Sequence, residues 1–316
     1  MASQERGGFV RVVVTGGAGF IGSHLVERLT LRGDEVTVID NLSSGRRENL
    51  PPGVALTEAE VADLTAIQPV LAGADLVFHL AAVASVPRSI AAPLEVHRSN
   101  GEGVLAVLEA SRQARVPRIV ITSSAAVYGN ASGIQQEDDP MRPESFYGID
   151  KAAGEMYLQA YCRLFGLRGL AIRPFNVYGP RQALDAVYGS VIPRFVSRLQ
   201  AGLPVQIEGS GEATRDFTYV GDLVDGLLLA AVAPDAVMDG RPVNLAAGHA
   251  VSVLRLAAVL GEAAGISLPP LHGPARIGDI LHSQADISRA RTLLGYAPRV
   301  SLEEGLALTY RALAGA

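Results

Sequence analysis

The first half of the chain alternates short apolar runs with stretches whose apolar positions recur at helical spacing. Val10 to Thr15 reads as a strand and Phe20 to Arg32 as a helix. A second strand is predicted over Glu35 to Ile39. A helical stretch around Leu64 to Leu71 precedes another strand at Asp75 to Leu80. Pro93 to Ala114 keeps helical period, Arg118 to Thr122 is a β-branched run, Tyr147 to Phe165 is helical, and Leu170 to Arg173 is the next strand. Strands alternating with helices predict parallel βαβ units and a doubly wound α/β sheet.

The second half is less regular. Its predicted strands are short (Val205 to Ile207, Phe217 to Val220, Val243 to Ala246), with helices at Leu223 to Val232, Val253 to Ala264 and Leu302 to Ala314. This pattern predicts a smaller mixed α/β C-terminal lobe. The expected boundary falls near residue 175, with the chain crossing back into the first sheet at about 217–246. The larger domain would then comprise 1–175 plus about 217–246, and the smaller one 176–216 and 247–316. No internal repeat, low-complexity tract or long linker is visible.

Composition narrows the function classes. At 48% hydrophobic and 19% charged, the chain is globular rather than disordered or fibrous. A net charge of -5 gives no electrostatic footprint for nucleic acid. Cys162 is the one cysteine, which excludes an internal disulfide and a Cys-based zinc site, and no metal site is expected. With no disulfide evidence for secretion, the cytoplasm is the expected compartment. The apolar run Phe9 to Val14 is too short to span a membrane, and the preceding residues lack a signal-peptide layout. Of the 27 Lys and Arg residues, 26 are Arg, and Lys151 is the only lysine. In a chain that otherwise uses arginine, a surviving lysine suggests a place where a planar fork cannot replace a compact point charge.

Thr15-Gly16-Gly17-Ala18-Gly19-Phe20-Ile21-Gly22 follows the first strand and opens the first helix. Gly16 permits a tight turn, Gly19 lets the backbone approach a pyrophosphate, and Gly22 allows close helix–sheet packing. The helix N-terminus offers N–H donors and a positive dipole. Glycines alone also collect in ordinary turns. Here the flanking strand and helix, and Asp40 at the end of the second strand, all fit a dinucleotide site. Asp40 is placed to bond ribose hydroxyls and would repel a 2′-phosphate, so NAD is favoured over NADP, with Arg46 and Arg47 nearby as contrary charges. Asp63 reads equally as an adenine contact or as a solvated helix cap.

Tyr147 and Lys151 are four residues apart on a predicted helix and share a face. A tyrosine with an ordinary pKa of about 10 needs help to act as a base, and a neighbouring lysine charge favours the phenolate. Ser124 lies just past the strand Arg118 to Thr122, at the carboxyl end of the sheet, where ligands bind in such folds. A Tyr-x-x-x-Lys pair alone is commonly surface decoration. Combined with the glycine loop and a strand-end serine, it points to catalysis.

Together these residues resemble the extended short-chain dehydrogenase/reductase family, and within it the nucleotide-sugar epimerases and dehydratases. The likeness also runs through Asp40-Asn41-Leu42-Ser43, His79-Leu80-Ala81-Ala82, Asn100, Val127-Tyr128-Gly129, the segment 173–181, Thr214-Arg215-Asp216-Phe217 and Arg276-Ile277-Gly278-Asp279. It implies a Rossmann-like fold with NAD as cofactor. The cofactor would be held by Gly16, Gly19, Phe20, Ile21, Gly22, Asp40, Asn41, Ser43, Asp63, Leu64, Leu80, Ala81, Ala82, Asn100, Tyr147 and Lys151. It implies a nucleotide-sugar substrate held by Ser85, Ser124, Ala125, Tyr147, Asn176, Val191, Gln206, Arg215, Arg276, Asp279 and Ser283. Arg215 and Arg276 match the family arginines that clamp the diphosphate, a contact suited to bidentate arginine.

The family divides on the residues after the strand-end serine. Dehydratases resemble Thr-Asp-Glu there and decarboxylating relatives keep a Glu, whereas this chain has Ser124-Ala125-Ala126. Neither alanine moves a proton. What remains is oxidation at one carbon, which implies a 4-epimerase. Tyr147, assisted by Ser124, would take the proton of the sugar 4-hydroxyl while hydride leaves C4 for NAD. The resulting 4-keto sugar turns over on its anchored diphosphate and is reduced from the other face. Ser283 matches a position where a small residue admits an N-acetyl group on C2, which implies UDP-N-acetylglucosamine and UDP-N-acetylgalactosamine as well as UDP-glucose and UDP-galactose. Glu208 stands where relatives often place an aromatic against uracil, so thymidine remains open. Uronate-specific relatives tend to carry threonine at the Asn176 position and arginine at the Ala183 position. Other readings are a dTDP-hexose or UDP-uronate epimerase, a net sugar oxidoreductase, and a non-catalytic NAD sensor. The sensor is disfavoured because such relatives tend to lose the Tyr/Lys pair. Relatives form homodimers through a four-helix bundle that includes the tyrosine helix, so a homodimer is expected.

Overall fold

The computed structural model describes residues 10–131, 133–184, 190–274 and 281–315. Seven strands form the main sheet: β1 (Arg11–Thr15), β2 (Glu35–Asp40), β3 (Ala55–Glu58), β4 (Leu76–His79), β5 (Arg118–Thr122), β6 (Arg168–Pro174) and β7 (Asp239–Leu245). All neighbours are parallel, in the spatial order β7-β6-β5-β4-β1-β2-β3. The order reverses between β1 and β4, so the carboxyl ends of these strands flank a crevice, the usual ligand site of an open parallel sheet.

The sheet is buried on both faces, and the alternation of side chains along β1 shows how. Val12 and Val14 join one apolar cluster, with Leu25 and Leu29 of α1 (Phe20–Leu31), while Val13 joins the other, with Ile67, Leu108 and Leu158. The last three come from α2 (Leu64–Leu71), α3 (Gly103–Gln113) and α4 (Phe146–Phe165). A third cluster, including Ile192, Phe195, Leu256, Leu260 and Leu306, forms the smaller lobe from α5 (Val191–Gln200), α7 (Val253–Ala264) and α8 (Leu302–Ala314). Between them, α6 (Val220–Ala231) packs its Leu223, Val224 and Leu227 into the first cluster.

Two segments depart from the sequence pattern. The stretch predicted as one helix from Pro93 to Ala114 is helical at both ends but widens to π-helical turns at Arg98–Glu102. There Asn100 turns inward, its Oδ1 accepting from Val83 N at 2.8 Å and its Nδ2 donating to Val83 O at 3.2 Å. The predicted strand Phe217 to Val220 shrinks to Thr218–Tyr219, because α6 already begins at Val220. Asp222 in its first turn accepts from the amides of Arg299 and Val300, which ties that helix start to the C-terminal segment. β7 does return to the main sheet, entering through an irregularity between Asp239 and Pro242, with Gly240 at φ +89°.

A four-stranded sheet of short segments lies beside this frame. Its order is Val251–Ser252, Thr214–Arg215, His282–Ala285, Ile134–Gln135.

Candidate active site

The glycine loop is shaped by contacts that exclude side chains. Gly16 has φ +71°, and a Cβ there would stand 2.6 Å from Ala81 N. A Cβ on Gly22 would meet Gly16 O at 2.1 Å. Gly19 is the N-cap of α1 and provides no side-chain cap, leaving first-turn N–H groups pointing at the crevice for an anionic ligand. Behind the loop, Thr15 Oγ1 lies 2.8 Å from His79 Nδ1 and accepts from Ala81 N at 3.3 Å. This stacks the ends of β1 and β4 and places Leu80, Ala81 and Ala82 beside Gly16. Asn100 then secures Val83, the next residue, by the two bonds described above.

Asp40 is buried, and both its oxygens already accept backbone bonds, from Ala18 N at 3.0 Å and Leu42 N at 2.8 Å. It therefore holds the glycine loop and the turn after β2, with further lone pairs for a ligand hydroxyl. Asn41 Oδ1 accepts from Ser43 N and Ser43 Oγ, an Asx turn with Leu42 at φ +55°. Asp63 caps α2, accepting from Ala66 N at 3.1 Å, with Leu64 as the first helical residue.

The structure brings Ser124, Tyr147 and Lys151 together at one corner of the sheet. Ser145 caps α4 and starts the helix that carries Tyr147 and Lys151. Lys151 Nζ donates to Thr122 O at 2.8 Å and lies 5.9 Å from the centre of the Tyr147 ring. Ser124 caps the short turn Ala125–Tyr128, accepting from Ala126 N, and its side chain is close enough to the Tyr147 phenol to act on its titration. Burial pushes the phenol up, and the Ser124 hydroxyl opposes it. Burial pushes the Lys151 ammonium down to about 8, opposed by the carboxylates of Asp150 and Glu155. His79 is pushed down to about 3 by burial and then by the Lys151 charge, so it is neutral.

The other predicted contacts lie toward the small sheet. Arg215 pairs in parallel register with Ser283 on the adjoining strand. Asn176, at φ +30°, donates to Asp216 O at 3.1 Å. Ser85 caps the helix Val86–Ala91, Val191 begins α5, and Gln206 begins the strand Gln206–Glu208. Glu208 accepts from Arg194 at 3.1 Å. Arg276 and Asp279 fall outside the described residues.

Sequence reasoning gave no role to Asp216 and passed over Ser123 and Glu155. Asp216 is buried and accepts from the amides of Ala247, Gly248 and Ala285, joining three segments of the small lobe. Glu155 is buried four residues beyond Lys151, a spacing that could have drawn attention to it. Among the described residues no cluster of His, Cys, Asp and Glu could hold a metal ion, and no helix is long and apolar enough to cross a membrane.

A family model described as "NAD dependent epimerase/dehydratase family" matches residues 12–246. The chain belongs to that family. The match unites the glycine loop and the Ser124–Tyr147–Lys151 corner in one extended short-chain dehydrogenase/reductase frame, and the cofactor is NAD. The chain is 39% identical to the UDP-glucose 4-epimerase of Mycolicibacterium smegmatis, covering 95% of this chain and 97% of that protein. It is 36% identical to UDP-glucuronic acid decarboxylase 1 of Arabidopsis thaliana, covering 94% of this chain and 68% of that one. The structure of Thermotoga maritima UDP-glucose 4-epimerase with UDP-glucose superposes with a TM-score of 0.92 at 38% identity, covering 97% of this chain and 99% of the other. The glycine loop fits the cofactor: side chains at Gly16 and Gly22 would collide with the backbones of Ala81 and Gly16, so the tight turn that leads into the uncapped α1 N-terminus needs glycine at both positions.

Proposed function

We propose that the protein is a UDP-hexose 4-epimerase acting on UDP-glucose and UDP-galactose and on their N-acetylated counterparts. The observation that carries this reading is the turn after Ser124. It holds Ala125 and Ala126, so this turn offers no acid to eliminate water or assist loss of a carboxylate. The decarboxylase likeness is therefore a likeness of frame, at a chain lacking that family's glutamate.

NAD, when bound, supplies a reversible hydride acceptor. Its binders would be the α1 N-terminus, Asp40 and the 80–82 loop, with Lys151 and Tyr147 at the reacting end. Tyr147 accepts the proton of the sugar 4-hydroxyl and returns it after the ring has turned. Ser124, whose hydroxyl opposes the burial that raises the phenol, would share the proton. Lys151, cationic at neutral pH, favours the phenolate and is aimed by Thr122 O. Arg215 and Arg276 would anchor the diphosphate while the sugar turns, and Asn176 would bond the same end of the substrate. Ser283, paired in register with Arg215, is small, which supports a substrate carrying an acetamido group on C2.

NMR of the protein with UDP-glucose, UDP-N-acetylglucosamine, UDP-glucuronate and dTDP-glucose tests this directly. The expected result is C4 inversion of the first two. Inversion of UDP-glucuronate alone, or a lasting rise in NADH absorbance, would replace this reading with a uronate epimerase or a net oxidoreductase.

We further read the protein as a cytoplasmic homodimer. Ile90, Leu94, Phe146, Ile149, Met156 and Leu164 are exposed on the helices Val86–Ala91 and Pro93–His97 and on α4, an apolar surface suited to a second copy. Light scattering should give twice the chain mass, and Leu94→Asp with Met156→Glu should give the monomer.

A further inference from the structure

Behind the catalytic corner runs a chain of buried polar side chains that are not candidates for touching substrate or cofactor. Glu155 is fully buried on α4, one helical turn beyond Lys151. Its Oε1 accepts from Ser123 Oγ and from Arg173 Nε at 2.8 Å, and its Oε2 from Arg173 Nη2 at 2.7 Å. Ser123 sits between Thr122, whose carbonyl receives Lys151, and Ser124, which meets Tyr147. One carboxylate thus grips the residue between the two that aim the lysine and the phenol. Arg173 Nη1 donates to Tyr128 Oη at 2.8 Å, and Tyr128 Oη donates to Asn244 Oδ1 at 2.7 Å. Asn244 Nδ2 donates to the carbonyls of Gln135 at 3.1 Å, on the strand beside that of Ser283, and of Asp286 at 3.2 Å, just past the end of Ser283's own strand.

Resting on the 4-epimerase reading, we propose that Glu155 is a positioning residue: it holds Ser124 and Lys151 in one frame, while Arg173, Tyr128 and Asn244 extend that frame to the substrate-pocket strand.

A buried ion pair is poor evidence for stability, since apolar residues of similar volume often serve as well. A fully satisfied buried network instead fixes one arrangement of the groups it joins. The charges around Lys151 are few. Asp150 and Glu155 lie on its own helix, with His97 Nδ1 on Asp150 at 2.7 Å and Arg173 turned onto Glu155. Tyr147 shares its face, and His79, from β4, is neutral. Loss of the Glu155 charge leaves Asp150 as the remaining carboxylate against desolvation of the ammonium.

Because Lys151 is the only lysine, isotope-labelled lysine gives a single side-chain NMR signal whose titration reports this group directly. The holoenzyme would be compared with Glu155→Gln, Ser123→Ala and the double variant Glu155→Gln/Arg173→Met. The double variant removes the charge of the pair without stranding a buried cation. In both variants lacking Glu155 the midpoint should fall by about one pH unit. The alkaline limb of turnover should move with it, and kcat should drop roughly tenfold with KM little changed. Ser123→Ala should keep the midpoint and lower kcat by a few-fold. An unchanged lysine midpoint in the cooperatively melting double variant would reduce the network to scaffolding. A wild type that inverts no sugar, yet shows the shifted lysine in the variants, would overturn the reaction and leave the placement of Lys151 intact.

Discussion

The catalytic corner and the substrate lobe are built in opposite ways. Tyr147, Lys151 and Ser124 stand on a twenty-residue helix and at the end of a central strand, with buried polar groups bonded behind them. Arg215 and Ser283 stand on strands of two and four residues, in a sheet joined mainly by backbone pairing and the buried Asp216. The corner is held by long-range packing that tolerates little change. The lobe presents its contacts on short segments that can change residue by residue without disturbing the main sheet. The chemistry should therefore be fixed by the corner and the substrate range by the lobe, and each can be broken separately.

The largest effect should come from Tyr147→Phe, which removes the proposed base and should lower turnover by roughly a thousandfold or more while NAD binding survives. Near-normal C4 inversion by this variant would sink the mechanism. Lys151→Arg keeps the charge but puts a wide fork where a compact ammonium fits against Thr122 O. A loss of roughly a hundredfold in kcat is expected, read in the same assay. If the variant turns over normally, the corner is looser than its packing suggests. In the lobe, Ser283→Tyr should cut kcat/KM for the N-acetylated sugars by roughly a hundredfold and spare UDP-glucose. Equal losses on both substrates would mean that the lobe is as rigid as the corner.

The smallest effect is on stability. His79 sits at about 3 in the fold against an ordinary 6.5. Above pH 6.5 neither the folded nor the unfolded chain protonates it, and stability is full. As the pH falls, the unfolded chain takes up a proton that the fold refuses, which costs about 2 kcal/mol by pH 5. Urea melts at pH 7.5 and 5 should show that difference shrinking in His79→Asn, which keeps a polar partner for Thr15. A difference that persists unchanged would assign the acid sensitivity to other groups.

The same contrast explains what was legible in the sequence. Helix α2 and strand β5 begin and end where their apolar periods do, because each buries a continuous run. The glycine loop and the Tyr147–Lys151 spacing were readable because their function requires local geometry. The pairing of Arg215 with Ser283 joins residues 68 positions apart through two short strands, and no local period encodes it. Glu155 was hidden for a different reason. A glutamate on a helix reads as a solvated face, and only the arrival of Arg173 and Ser123 from two neighbouring strands shows that it points inward. Asn100 was legible as a residue, but the widened turn that lets it reach Val83 was not.

The way β7 enters the main sheet bears on how the molecule avoids unwanted company. An open parallel sheet ends in a strand whose outer edge can recruit an extended segment from another chain. Here that strand begins with a break in register, a glycine at φ +89°, and Pro242, which has no N–H to donate. Those features spoil the straight ladder that a foreign strand would need. That edge is thereby blunted against open-ended stacking, and the dimer proposed above, through the helical face bearing Leu94 and Met156, would close on itself and stop growth.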